Sequence, residues 1–310
     1  MDKGFRSAFF TRLQQTSRAC NKNDRMTFSS AFLVAAVTVG SWNGKWFPSG
    51  RAEHRAAPHI EARTVAEAGA MLREGLKKAD PYGTNDVIIC LNEMRGPKVV
   101  NELVAAIGRT NLTCAVITAY RRRDRFDMQQ DAILTTLPVV AANWSKWKNH
   151  KAETPPRGYA HARVVFPGSV TTEVYSVHLK SNYGQTDENA ARLNRAKRSR
   201  AIEQLVDQER PRRGRKNVPV IIAGDLTADK WSEDFKKDTI FEILAEAGFV
   251  TPLEFLAPEK RITYPKRGKW GGTALDYIFI RGLRISSGTH VQIISAGEIS
   301  DHDAVFINVE

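Results

Sequence analysis

Polar residues of the types that bind metal ions or move protons recur where apolar runs end. Asn43 follows "GSW", Glu93 follows "IICLN", His178 sits in "YSVHL", Asp225 follows "IIAG", Asp276 sits in "ALDYIF", and Asp301 and His302 stand together in "ISDHDAV". Any one of them reads most simply as structural, and "GDLT" (224–227) taken alone is the turn that closes a short buried strand. The series asks for more. Side chains delivered from several strand ends to one rim are a common way for sheets to assemble a reactive centre.

The elements that must position these residues alternate along the chain. Apolar runs predict strands over 33–42, 86–93, 113–120, 131–138, 218–223, 274–280 and 303–309, and a strand pair, "HARVVF" and "EVYSVHLK", around the turn "PGSV". Helical spacing of Val65, Ala68, Leu72 and Leu76 predicts a helix over 60–80. Pro97 at the start and Gly108 past the end bracket a second helix. A basic helix is expected over 188–207 and a short one near 239–247. There is no internal repeat and no low-complexity segment. Residues 1–30, rich in Arg, Ser and Thr, are expected to be a basic leader or flexible arm, and residues 31–310 a single domain.

The chain carries 46 Lys and Arg against 34 Asp and Glu, a net charge of +12, which favours polyanionic partners. "YRRRDR" (120–125) and "RPRRGRK" (210–216) concentrate that charge and make nucleic acid the leading partner class. The longest apolar candidate, "AFLVAAVTVG" (31–40), is too short to span a bilayer. Cys20, Cys90 and Cys114 form no disulfide framework, and Cys90 and Cys114, inside apolar strands, read as buried free thiols. A cytoplasmic monomer is expected, with an organellar or secretory route through the N-terminal segment as the alternative.

The ordered set "SWN", "LNEMR", "VHLKSN", "GDLT", "LDYIF" and "SDHDAV" resembles the endonuclease/exonuclease/phosphatase superfamily, over residues 33 to 310. That group includes DNase I, the apurinic-site endonucleases, the nuclease subunit of cytolethal distending toxins and the inositol polyphosphate phosphatases. The resemblance implies a four-layer α/β sandwich, with two mixed sheets packed face to face and helices outside. It implies that Glu93 binds a catalytic divalent ion, that Asn43 and Asp301 complete the metal environment, and that Asp225 contacts the attacking water. His302 matches the histidine that touches the scissile phosphate, Asp276 the aspartate that orients it, and His178 a second histidine of DNase I-like members. Arg95 stands where DNase I has a DNA-contacting arginine, and Lys180 and Asn182 are phosphate-contact candidates. Two positions depart from the pattern. The family's Gln-Glu is Asn92-Glu93, and its Gly-Asp-x-Asn is Gly-Asp-Leu-Thr, placing Thr227 where an asparagine helps hold phosphate and nucleophile.

The implied chemistry is consistent with the residue types. Mg²⁺, with Mn²⁺ as an alternative, takes oxygen ligands of the kind Glu93, Asp301 and Asn43 offer, and no Cys/His spacing points to zinc. Asp225 would accept or aim a proton of water, and His302, its tautomer fixed by Asp276, would donate to a phosphoryl oxygen. The basic clusters favour a Mg²⁺-dependent endonuclease acting on DNA, with no membrane partner. A phosphatase or phosphodiesterase on a small or lipid phosphate, and a catalytically weakened nucleic-acid-binding member of the fold, remain as alternatives.

Overall fold

The computed structural model describes residues 36–51, 56–122, 125–182, 186–209, 218–265, 271–286 and 291–310, all within one unit, Val34–Glu310. The leader expected over 1–30 and the cluster "RPRRGRK" lie outside the described residues, as do two positions of "YRRRDR". The first half runs β1 (Val37–Phe47), α1 (Pro58–Ala79), β2 (Asp86–Met94), α2 (Pro97–Ile107), β3 (Thr113–Ile117), β4 (Arg121–Arg122), β5 (Arg125–Phe126), β6 (Gln130–Thr135) and β7 (Val139–Lys146). The second runs β8 (Gly158–Phe166), β9 (Val170–His178), α3 (Glu188–Gln208), β10 (Val220–Asp225), α4 (Ile240–Glu246), β11 (Asp276–Arg281), β12 (Gln292–Ile294) and β13 (Ala304–Val309).

One sheet has the order β12-β13-β1-β2-β6-β3 and the other β11-β10-β9-β8-β7, both mixed. Alternation along the strands decides which face meets what. Val37 and Val39 of β1 and Ile88 and Cys90 of β2 point between the sheets, against Ala162, Val164, Val174 and Ile222. The intervening Trp42, Ile89 and Leu91 point the other way, onto Val65, Leu72 and Leu76 of α1 and Val100 and Leu103 of α2. The outer face of the second sheet packs on Ala201, Ile202 and Leu205 of α3 and Phe241 and Leu244 of α4. The layers are thus helix, sheet, sheet, helix: a four-layer α/β sandwich.

The strands near the site extend or shift relative to their apolar runs. β1 continues to Phe47 because Asn43 and Phe47 still pair with β2 (Asn92 and Met94) across a register shift, whereas residues 33–35 of the expected strand lie outside the described residues. β7 carries no apolar alternation because it is an edge strand, paired among the described residues only with β8 and mostly exposed. β12 is three residues long and, among the described residues, pairs only with β13, too short for a pattern to register. Cys90 is buried and Cys114 half-buried, and both are free thiols.

Candidate active site

Three of the expected residues fall on one register line. His178 on β9 pairs with Asp225 on β10, which pairs in turn with Asp276 on β11, so adjacent strands deliver an imidazole and two carboxylates side by side. The glycine of "GDLT" makes this possible. Gly224 adopts φ 142, and a Cβ there would meet the Val177 carbonyl oxygen at 1.9 Å and Asn92 Oδ1 at 2.9 Å. Only a residue without a side chain lets β10 lie this close to β9 and to the facing sheet.

The facing sheet contributes Asn43 and Glu93 by different routes. Asn43 continues the inward-pointing series of Val37, Val39 and Ser41, a consequence of period two alone. Glu93 by the same rule would point outward, since Ile88, Cys90 and Asn92 are the inward set. A bulge between Leu91 and Met94, with Glu93 at φ 60, turns its side chain back toward Asn43. Bulges that re-aim a side chain next to a reactive centre are a recurrent device, and positive φ at a non-glycine residue stores strain there.

His302 arrives from the turn before β13. Ser300 Oγ donates to the Asn43 carbonyl (2.7 Å) and accepts from the His302 backbone N–H (3.1 Å), while Trp42 Nε1 donates to the His302 carbonyl (3.2 Å). The turn is thereby fastened to β1. The His302 ring lies edge-on to Tyr264, with centroids 4.9 Å apart.

The charges converge tightly. Asn43 Nδ2 donates to Asp225 Oδ2 (2.9 Å) and lies 3.5 Å from Glu93 Oε1. His178 Nε2 lies 3.6 Å from Asp225 Oδ2 and 3.7 Å from Glu93 Oε1. His302 Nδ1 is 2.8 Å from Asp276 Oδ2, which also accepts from Thr263 Oγ1, and His302 Nε2 is 3.9 Å from Asp225 Oδ2. Asn43, Glu93, His178, Asp225, Asp276 and His302 are all buried.

The two histidines are driven to opposite states. Burial pulls the His302 imidazolium down, but the Asp276 and Asp225 carboxylates outweigh it and push its pKa up to about 10. Burial, then Arg157, His302 and Lys180, hold His178 well below the ordinary histidine value. Asp225 is pushed up to about 7, first by burial and further by Asp276, against the pull of His302. At neutral pH the arrangement is a charged His302, a neutral His178, and a carboxylate poised to take a proton.

Other expected residues have different employment. Arg95, expected as a DNA contact, forms a bidentate ion pair with Glu61 of α1 (2.7 and 2.8 Å). Asn182 Oδ1 accepts from Arg198 (2.9 Å), and Lys180 Nζ, half-buried, donates to the Ser181 carbonyl (2.6 Å). Asp301 pairs with Lys45 (3.2 Å), and its charge also helps to raise the His302 pKa. Asn43 Oδ1 accepts from the Lys45 backbone N–H, so its amide N–H, not its oxygen, faces the carboxylates.

Thr227 sits at φ 52, and its hydroxyl donates to the Lys180 carbonyl (2.8 Å). A β-branched residue in this region is a steric outlier, whereas asparagine is enriched in it. The hydroxyl is therefore committed to joining two loops, and its donor is not available to a phosphate. Thr227→Asn is expected to raise stability by relieving up to about 1–2 kcal/mol of backbone cost. Thr227→Val is expected to lower it by about 1 kcal/mol, readable as a shift in urea midpoint.

The supporting roles of several residues are not visible in the sequence. Asn92 Oδ1 accepts the Asp225 backbone N–H (3.0 Å) while its Nδ2 donates to buried Asp131 (2.8 Å), so it ties β10 to the facing sheet. Ser300 and Thr263 carry no signal beyond proximity to "DH" and to a tyrosine. Among the described residues, Asp225, Asp276 and His302 present ligand atoms within 4.8 Å of one another. A protonated imidazole bonded to one of those carboxylates is a poor metal ligand, however, and the oxygen-rich side at Glu93 and Asp225 suits a hard divalent cation better.

Comparison with known proteins agrees with this geometry. The endonuclease/exonuclease/phosphatase family model matches residues 41–302, from the strand that bears Asn43 to His302 itself. No curated protein matches. The fold is similar to an endonuclease/exonuclease/phosphatase from Beutenbergia cavernae DSM 12333, at 14% identity and TM-score 0.61, covering 89% of this chain and 72% of that one. It is similar to D. rerio TDP2 complexed with single strand DNA product, at 15% identity and TM-score 0.55, covering 89% and 99%. It is also similar to sphingomyelinase C from Streptomyces griseocarneus, at 18% identity and TM-score 0.52, covering 88% and 99%. With a matched span that runs from the strand bearing Asn43 to the His302 turn of one buried carboxylate–imidazole cluster, the chain belongs to the endonuclease/exonuclease/phosphatase family.

Proposed function

We propose that the protein is a divalent-metal-dependent phosphodiesterase that cleaves DNA. The observation that carries the reading is the convergence of Glu93 and Asp225 on one face and the charged His302–Asp276 pair on the other. Glu93 and Asp225 would hold Mg²⁺, which when bound polarises a phosphoryl oxygen and offsets its negative charge. Asp225, ionised, accepts a hydrogen bond from the attacking water and aims it. His302, fixed in orientation by Asp276, donates from Nε2 to a phosphoryl oxygen. His178, kept neutral, lies within 3.7 Å of both carboxylates without competing for the proton.

The sign of the pH dependence follows. Asp225 works ionised, so turnover rises as pH climbs through a limb no higher than about 7, since a nearby cation favours the ionised form. His302 works charged, so turnover falls as pH passes about 10. A rate profile from pH 5 to 11 should be bell-shaped with those limbs, and a flat profile would remove both assignments.

DNA as substrate is supported by the net charge of +12 and by a similar fold whose bound product is single-strand DNA. The sphingomyelinase likeness keeps a lipid phosphodiester in view. Plasmid nicking, phosphocholine release from sphingomyelin vesicles and phosphate release from 4-nitrophenyl phosphate, each with Mg²⁺ and with chelator, separate the substrates. Nicking alone is expected, and lipid or monoester turnover without nicking would overturn the DNA assignment.

A further inference from the structure

The segment that leaves β9, residues 178–182, is held by its own carbonyl groups. Arg157, itself at φ 65, donates to the His178 carbonyl (3.1 and 3.2 Å) and the Leu179 carbonyl (2.5 Å). Arg198 of α3 donates through Nη1 to the Lys180 carbonyl (2.7 Å) and to Asn182 Oδ1 (2.9 Å), and Thr227 Oγ1 donates to the same Lys180 carbonyl. The Leu179 backbone N–H donates to the Asp225 carbonyl (3.0 Å). Three successive carbonyls are therefore claimed by side chains from three other parts of the chain.

Arg198 is the least expected member. Its side chain is only 1% exposed, and so is that of its partner Asp238, which takes Nε and Nη2 in a bidentate pair (2.8 and 2.7 Å). A buried ion pair contributes little net stability, and well-packed apolar replacements are often as stable or more so. Four hydrogen bonds nevertheless fix this guanidinium, with two spent on Asp238 and two on the segment beside the reactive cluster. Arg198 thus holds Lys180 and Asn182, and Arg157 holds the same segment at His178, which lies within 3.7 Å of Glu93 and Asp225.

We infer that Arg198, anchored by Asp238 and opposed by Arg157, is a positioning residue that sets His178 and Lys180 relative to the Glu93–Asp225 carboxylates. It acts through the backbone of 178–182 and touches no reacting atom. The inference rests on the phosphodiesterase reading and adds to it a dependence of the reaction on the buried face of α3.

The test is the double variant Arg198→Met/Asp238→Leu, which replaces the ion pair by apolar side chains. Its thermal midpoint is expected to match or exceed that of wild type. Its turnover of DNA is expected to fall on the order of 10²-fold, since displacements of about 1 Å cost that much. A folded double variant with wild-type turnover overturns the inference. Should it fail to fold, Arg198→Lys decides: its single ammonium cannot serve Asp238 and the segment together, so turnover drops on the order of tenfold or more in a folded protein, and undiminished turnover again overturns the role. Hydrogen exchange at the Leu179 amide reads the segment without activity. An inactive wild type sinks the phosphodiesterase reading, while faster Leu179 exchange in the equally stable double variant still supports the clamp and unchanged exchange refutes it.

Discussion

Glu93→Gln is expected to remove nearly all metal-dependent turnover, on the order of 10³-fold, because polarisation by a bound cation is worth several kcal/mol of barrier. The substitution is conservative in shape. Glutamine can still accept the Trp46 backbone N–H that Glu93 Oε2 now takes at 3.0 Å, so the bulge that aims the side chain has no reason to relax. What disappears is the charge. Asp225 is left as the one carboxylate facing Asn43 and His178, and a single buried carboxylate at this position is too little for a hard divalent ion. Raising Mg²⁺ should recover only part of the rate. The measurement is initial rate against Mg²⁺ concentration for both proteins, with circular dichroism to show equal folding. Wild-type rates in Glu93→Gln would remove the metal assignment.

His302→Ala carries the second large effect, a fall in turnover of ~10²–10³-fold, the usual result of deleting one preorganised donor. Metal binding should persist, because His302 bonds Asp276 and is not itself one of the residues that would hold the ion. Asp276→Asn should imitate it. The carboxylate fixes the His302 tautomer at 2.8 Å and supplies the largest upward influence on its pKa, so an amide leaves a neutral, misdirected ring. The double variant should be no worse than the worse single one, since the pair acts as a unit. Additive losses would mean that Asp276 and His302 act separately.

The fold was legible wherever a strand has a buried face on both sides or a helix has one apolar stripe. "VPVIIAGD" announces β10 because both faces are covered, and α1 announces itself through Val65, Ala68, Leu72 and Leu76. β7 was not legible, because an edge strand exposed along most of its length needs no alternation. In the site, residue types that end apolar runs came through: Asn43, Glu93, His178, Asp225, Asp276 and His302 lie in one buried network. Long side chains did not. Arg95 and Lys180 are placed by partners far off in sequence, Glu61 in one case and the Arg198–Thr227 clasp behind the other. Thr227 looked like a weakened phosphate contact, whereas its hydroxyl is engaged with a carbonyl 47 positions away, a distance no local pattern spans.

The most direct test of the account is hydrolysis of bis(4-nitrophenyl) phosphate, a diester with no base, sugar or lipid to recognise. Wild type is expected to release 4-nitrophenol with Mg²⁺ present, to stop when chelator is added and to resume when Mg²⁺ is restored, while Asp225→Asn stays near background throughout. Equal rates in chelator, or wild-type rates in Asp225→Asn, would contradict the claim that this buried cluster is a metal-assisted site for cutting phosphodiesters.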